Sequence, residues 1–281
     1  MAVEIDALTS ATLRHLRERW WNDSFTAFLE ESLRPRPGKR ILHVGCGTGT
    51  GELSLSRLRL SQMQLYGVDL LVQRLRQARD ATRGANARAN YSAADACRLP
   101  FKDAVFDSTY CVAVLQHIRD FGLAVAEMAR VTKPNGRILV VEPDNTAVYW
   151  FSSLPSGVEA FDLGRRFFAE RAAARDEPAA SAVGPQVPAL FAPHGIEPLS
   201  VQLFPVSVAH VGAPPEDVWG GRRKAVQEAI ADTSNESLRR LGSDYLKAIE
   251  RYARDARAAG STFVEIQNTL LFASAGQRAD S

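Results

Sequence analysis

The chain has 281 residues, 46% hydrophobic and 23% charged, with 34 Lys and Arg against 32 Asp and Glu. That composition excludes a disordered or fibrous protein, and the length suits one large domain or a domain with an elaborated lid. A net charge of +2 gives no global field for nucleic acid or an anionic membrane, so a small molecule is the expected partner.

The N-terminal stretch carries Leu8, Leu13, Leu16, Trp20, Trp21, Phe25, Phe28 and Leu29 at mixed three- and four-residue spacing and stops at Arg34-Pro35-Arg36-Pro37-Gly38. This predicts a helical cap over 1–38. Glu4 and Asp6 interrupt its start, and nowhere do about 18 consecutive apolar residues occur, so neither secretion nor membrane insertion is expected. Cys46, Cys97 and Cys111 form no CxxC pair and are odd in number, which argues against a disulfide framework and a thiolate metal site. A reducing, cytoplasmic setting without a bound metal is the expectation, and a homodimer is left open.

From Lys39 onward short apolar runs alternate with helical patterns. Strands are predicted at 41–44 (ILHV), 63–68 (MQLYGV), 89–93 (ANYSA), 106–115 and 137–142 (RILVVE), with helices near 51–60, 71–84 and 120–131. Alternation of this kind over a hundred residues predicts parallel βαβ units, and hence an α/β fold with a doubly wound, mostly parallel sheet. After Glu142 the pattern loosens through an aromatic segment, then gives a helix near 158–175 and strands near 197–209 and 262–273. Between those strands, Leu238, Leu241, Tyr245, Ile249, Tyr252 and Ala256 follow helical spacing, so 213–260 reads as a helical lid insertion in a core made of 39–212 and 261–281.

The sharpest local signal is HVGCGTGTGEL, residues 43–53, a glycine-rich turn between an apolar strand and a helix. Neither glycine pair continues to G-x-G-x-x-G, because Thr50 and Glu52 stand where the last Gly would fall, and no triphosphate-binding loop is present. Asp69 ends the next strand, 20 residues past Gly49, where a carboxylate can accept both hydroxyl protons of a ribose. Adenosine without a pyrophosphate suits both features; a tight turn with a surface Asp is the plain alternative.

VGCGTGTGEL, YGVDL, AADACRLPFKDAVFDSTYCVAVLQHIRD and MARVTKPNGRILVVEPD, in that order, resemble the class I S-adenosylmethionine-dependent methyltransferases, in the small-molecule branch of quinone and natural-product enzymes. The resemblance is strong over about residues 38–145 and implies a seven-stranded Rossmann-like sheet, S-adenosylmethionine as cofactor and S-adenosylhomocysteine as its product. It also implies that Gly45, Cys46, Gly47 and Thr48 wrap the methionine and ribose, that Asp69 holds the ribose hydroxyls, that Asp95 and Ala96 address adenine, that Val112 lines the pocket, and that Gly49 and Leu70 belong to the same cofactor site. One position departs: the family usually has an acid where this chain has His43. On residue type alone, His43 reads as a core histidine.

A hydroxyl acceptor needs its proton removed, and histidine is the side chain suited to that near neutral pH. Of His15, His43, His117, His194 and His210, His117 follows the fourth strand, and Glu142 ends the fifth. The two are expected at the carboxyl edge of the sheet, as base and orienter, with a helix cap and a cofactor-shell residue as the competing roles. The resemblance implies an acceptor pocket roofed by the aromatic clusters Trp20, Trp21 and Tyr149, Trp150; His194, in a loop, is a further substrate candidate. The expected activity is O-methylation of a specialised metabolite. The alternatives are C- or N-methylation by positioning alone, and a non-catalytic cofactor-binding homologue.

Overall fold

The computed structural model describes residues 20–57, 63–85, 87–174 and 182–280. His15 and the predicted helix through residue 19 lie outside the described residues. The chain divides into two compact units, one of Trp21–Asn145, Ala182–Phe204 and Leu270–Ser281, the other of Met1–Trp20, Thr146–Ser181 and Pro205–Thr269. No helix among the described residues is long and apolar enough to cross a membrane.

The first unit begins with α1 (Asp23–Leu33), whose N-cap Asn22 accepts the Phe25 N–H at 2.9 Å. That bond satisfies one of the helix's orphan donors, and Phe25, Phe28, Leu29 and Leu33 form the buried stripe. The parallel core follows: β1 (Arg40–Val44), α2 (Thr50–Ser56), β2 (Gln64–Asp69), α3 (Val72–Gly84), β3 (Ala89–Ala93), β4 (Phe106–Val112), α4 (Phe121–Val131) and β5 (Thr132–Ser152). After α6 (Val183–Phe191) come β6 (Ile196–Val211) and β7 (Val264–Arg278), giving a seven-stranded sheet in the order β3-β2-β1-β4-β5-β7-β6. The strands β1 to β5 pair in parallel. Four consecutive buried residues in β1 reflect a strand covered on both faces. Leu42 and Val44 enter a core with Val68, Cys111, Val125, Met128 and Val140, while His43 faces the other way.

Two differences from the sequence reading are instructive. The fifth strand does not end at Glu142 but continues to Ser152. Its last residues alternate, with Ala147, Tyr149 and Phe151 exposed and Trp150 and Ser152 half-buried, a period of two carried by residues of high strand propensity. The strand's register also slips where Lys133-Pro134-Asn135-Gly136 intervenes between the partners of Phe106 and Ser108. Helix α6 was unforeseen; Gly184 and Pro188 obscure the VxxxVxxxF spacing that buries Val183, Val187 and Phe191.

The second unit contains α5 (Pro155–Ala174), α7 (Glu216–Ala231) and α8 (Glu236–Ala259). Phe167, Trp219, Val226, Leu238, Ile249, Tyr252 and Phe263 share its core. Asn235 caps α8 by accepting the Leu238 N–H at 3.1 Å. The buried Glu265 is paired with Arg222 and accepts the Tyr252 hydroxyl at 2.8 Å.

At the amino ends of β1, β4 and β5 one carboxylate ties three strands: Asp107 accepts from Lys39 Nζ at 2.8 Å, the Arg40 N–H at 3.0 Å and Lys133 Nζ at 2.9 Å. Burial pushes this carboxyl up, but the Arg40 N–H and the two ammonium groups outweigh it and hold the pKa at about 2. A depressed folded-state value means stability that is present above the unfolded carboxylate range and lost as pH falls toward 2. Because both lysines are partly exposed, Asp107→Asn should cost only about 1–2 kcal/mol at pH 7. The cost should shrink as pH falls below about 4 and vanish only near pH 2 and below, where the native carboxyl is protonated too; a penalty of equal size there would separate Asp107 from the ion pairs.

Candidate functional site

The site lies in the first unit, at the carboxyl ends of β1 to β4 and beside Glu142, midway along β5. Strand order reverses between β1 and β4, and a crevice opens outside such a switch point in open α/β sheets. The turn after β1 has Gly45, Gly47 and Gly49 at φ of +70°, +55° and +85°, a conformation that strains L side chains. A methyl group on Gly45 would fall 2.3 Å from Cγ2 of Val114, whereas one on Gly47 would meet nothing within 4 Å. Gly45 is therefore demanded by packing, and Gly47 leaves open space beside the turn. The turn is held by Cys46 N–H to the Val68 carbonyl at 2.8 Å and by Gly49 N–H to the Cys46 carbonyl at 3.0 Å. Thr48 is exposed. Burial drives the Cys46 thiol far up, with Glu52 and Asp69 adding, so it is neither a thiolate nor a nucleophile.

Asp69, nearly buried at the end of β2, accepts the Gly47 N–H on one oxygen and the Leu71 N–H on the other, both at 2.9 Å. Each carboxylate oxygen retains a lone pair for a further donor. Leu70 beside it is 56% exposed, an apolar face ready to be covered by a flat ring. After β3, the exposed Asp95 accepts the Cys97 N–H at 2.9 Å, and Ala96 is half-buried. This loop is anchored by Arg130, which donates to the carbonyls of Phe101 at 2.8 Å and Leu99 at 3.1 Å. Val112 ends β4, and the chain turns through Ala113 at φ +56°. Gly45–Gly49, Asp69, Leu70, Asp95, Ala96 and Val112 thus stand at the ends of four neighbouring strands.

Glu142 has no exposed surface, and its carboxylate accepts three backbone N–H groups of the turn after β4: Val114 at 2.7 Å, Leu115 at 2.8 Å and Gln116 at 3.3 Å. The turn ends in His117, which is half-buried. Glu142 acts as a cap supplied from a neighbouring strand, and it governs the position of His117 through the turn's backbone. Helix α4 takes its cap from Asp120, whose carboxylate accepts the Leu123 N–H at 3.4 Å, so that role does not fall to His117. Gly184 of α6 lies so close to the Glu142 carbonyl that a methyl there would stand 2.5 Å from it.

His194 ends a short turn before β6, half-buried, with Nε2 3.9 Å from where a side chain on Gly122 of α4 would begin. Trp21 packs edge-on to Phe25 at 5.3 Å and lies 6.4 Å from the ring of His43. Trp20 is buried, Tyr149 exposed and Trp150 set against Phe161; these three belong to the other unit. His43 is sealed from solvent, stacked on Tyr110 at 4.2 Å, and its Nδ1 lies 3.1 Å from Oε1 of the equally buried Glu52. Sequence reasoning passed over Glu52. Its signal was a carboxylate on the same helical face as Leu55, which is buried.

Residues 42–140 match the model of the methyltransferase domain family. Over that stretch the chain is similar to methyltransferase domains. The chain is 30% identical over 152 residues to O-methyltransferase cnsE of Penicillium expansum, a match spanning 50% of this chain and 54% of that protein. To a demethylmenaquinone methyltransferase of Deinococcus radiodurans it is 33% identical over 125 residues, spanning 44% of this chain and 50% of that one. The chain spans about half the length of these curated relatives. The solved structure of a putative methyltransferase from Bacillus halodurans superposes with a TM-score of 0.56 at 16% identity, over 91% of this chain and 99% of that one, a likeness of fold.

Replacing Glu142 by Gln would set an amide N–H among three backbone donors and remove the charge that strengthens the remaining bonds. Hydrogen bonds to charged groups contribute about 1.5–3 kcal/mol, so Glu142→Gln should lower the urea midpoint by a matching amount with the slope unchanged. A midpoint equal to wild type would show that the turn holds itself.

Proposed function

We propose that the protein is an S-adenosylmethionine-dependent methyltransferase of a small acceptor, a specialised metabolite methylated on oxygen, and that it works in the cytoplasm. The observation that carries the cofactor half is the open space at Gly47, a residue whose N–H is already braced to the carboxylate of Asp69. Residues 45–49 fit a methionine and ribose that approach the backbone closely, the spare lone pairs of Asp69 fit ribose hydroxyls, and Leu70, Asp95 and Ala96 fit adenine. Val112 would line the pocket. Bound there, S-adenosylmethionine supplies an electrophilic methyl group on a sulfonium.

His117, at the end of the turn held by Glu142, is the proposed base. A neutral ring nitrogen takes the acceptor's hydroxyl proton while the acceptor oxygen bonds the methyl carbon, and the electron pair of the broken C–S bond stays on sulfur. The remaining work is alignment of donor and acceptor and exclusion of water. His194, beside the first turn of α4, is a second candidate acceptor contact. The name of the first relative, an O-methyltransferase, supports this reading. The demethylmenaquinone methyltransferase supports a second, carbon methylation of a quinone-like acceptor by positioning alone.

Titration calorimetry should show S-adenosylmethionine and S-adenosylhomocysteine competing for one site per chain, with NAD ignored. NAD binding without either sulfur ligand would overturn the cofactor reading. Asp69→Ala should weaken both ligands by about 1.5–3 kcal/mol. With an aromatic hydroxy acceptor, His117→Ala should lower turnover about 10²-fold or more and leave cofactor affinity unchanged. Its pH profile should lose the ascending limb, since the base acts when neutral. A variant with wild-type turnover and profile would favour the positioning reading.

A further inference from the structure

His43 and Glu52 lie beneath the glycine turn, one on β1 and the other in the first turn of α2, and neither is exposed. Besides the Nδ1 to Oε1 bond at 3.1 Å, the cluster holds three buried polar atoms with no hydrogen-bond partner among the described residues: Nε2 of His43, Oε2 of Glu52 and the Tyr110 hydroxyl. Gly51 makes the space, since a methyl there would fall 2.5 Å from that hydroxyl and 2.8 Å from the His43 ring. A carboxylate sealed in with so few bonds is expensive by packing standards. The proposed reaction, as drawn above, does not use it.

The surroundings leave this pair as the adjustable charge. From β4 comes Tyr110, from β3 Tyr91 and from the turn Cys46; burial first and Glu52 second push all three upward, so they stay protonated near neutral pH. Asp69 at the end of β2 is the other carboxylate acting on Cys46, and Arg79 of α3 is the cation acting on Cys46 and Tyr91. On the α1 side stands the uncharged ring of Trp21. The field of Glu52 reaches Cys46, a residue of the turn itself.

We propose that the His43–Glu52 pair is the element by which the site tells the methyl donor from its product. With a neutral imidazole donating from Nδ1, the pair carries one negative charge; with an imidazolium it carries none. S-adenosylmethionine has a sulfonium charge that S-adenosylhomocysteine lacks, so the anionic pair favours the donor and the neutral pair withdraws that preference. The inference rests on the cofactor reading above. Within about 10 Å and at an effective dielectric constant of about 20–40, one unit charge changes the relative affinity for a second by roughly fourfold or more.

The test is calorimetric measurement of both dissociation constants from about pH 5.5 to 8.5, the window in which histidine side chains change charge, for wild type, His43→Asn and Glu52→Gln. In wild type the preference for donor over product should rise with pH by about that factor. His43→Asn keeps an N–H donor for Glu52 and takes up no proton, so its preference should stay at the high value throughout. Glu52→Gln should stay at or below the acid value. Ionisation of the ligands' own ammonium groups is common to all three proteins and cancels in the comparison. Thermal melting confirms that each variant is folded; should Glu52→Gln fail to fold, the flat profile of His43→Asn decides alone. A pH-independent preference in wild type, or variants that trace the wild-type curve, would overturn the proposal and leave the cofactor reading intact. Failure of either ligand to bind wild type would overturn both.

Discussion

A buried carboxylate reaching from one strand to the turn that follows its neighbour is the interaction on which the rest of the site depends. Glu142 gathers three backbone N–H groups of residues 114–116. In doing so it sets Val114 against Gly45 and stations His117 at the sheet's carboxyl edge. The donors are satisfied without solvent, so the turn can be both sharp and dry. The left-handed Ala113 just before it is strain that such bonds sustain.

The same device recurs across the edge. Asp69 spends one lone pair from each oxygen on backbone N–H groups and so braces the glycine turn to the end of β2. Asp95 does so for the loop after β3. These carboxylates organise backbone first and are thereby preoriented for a ligand, which is the geometry that electrostatic preorganisation requires. Glu52 differs, because its bond among the described residues is to a histidine rather than to backbone. It is the member of the set whose effective charge can change with a proton on its partner.

Below the sheet's opposite edge, Asp107 and its two lysines align β1, β4 and β5. The strand ends that carry the glycine turn and Val112, and the stretch of β5 that carries Glu142, are therefore set by a register fixed at the amino side and by caps at the carboxyl side. The slip at Lys133–Gly136 is absorbed near the amino end of β5, remote from Glu142.

The alternation of apolar runs and helical spacings was enough to read the parallel sheet, and the residues from Gly45 to Asp95 could be placed at strand ends, because burial on two faces and tight turns are local demands written in local sequence; Val112, read inside a strand over 106–115, is where β4 ends. Beyond Glu142 the local signal weakened: Tyr149–Phe151 read as irregular, and the spacing within α6 was hidden by Gly184 and Pro188. Glu142 was placed at the end of a strand that runs on to Ser152 and could not be assigned three backbone donors, and His43 could be noticed but not matched with Glu52. Which donor a buried carboxylate meets depends on side chains and backbone brought together from separate strands and helices. Periodicity reports which face a residue occupies; what stands opposite that face is decided only when the elements pack.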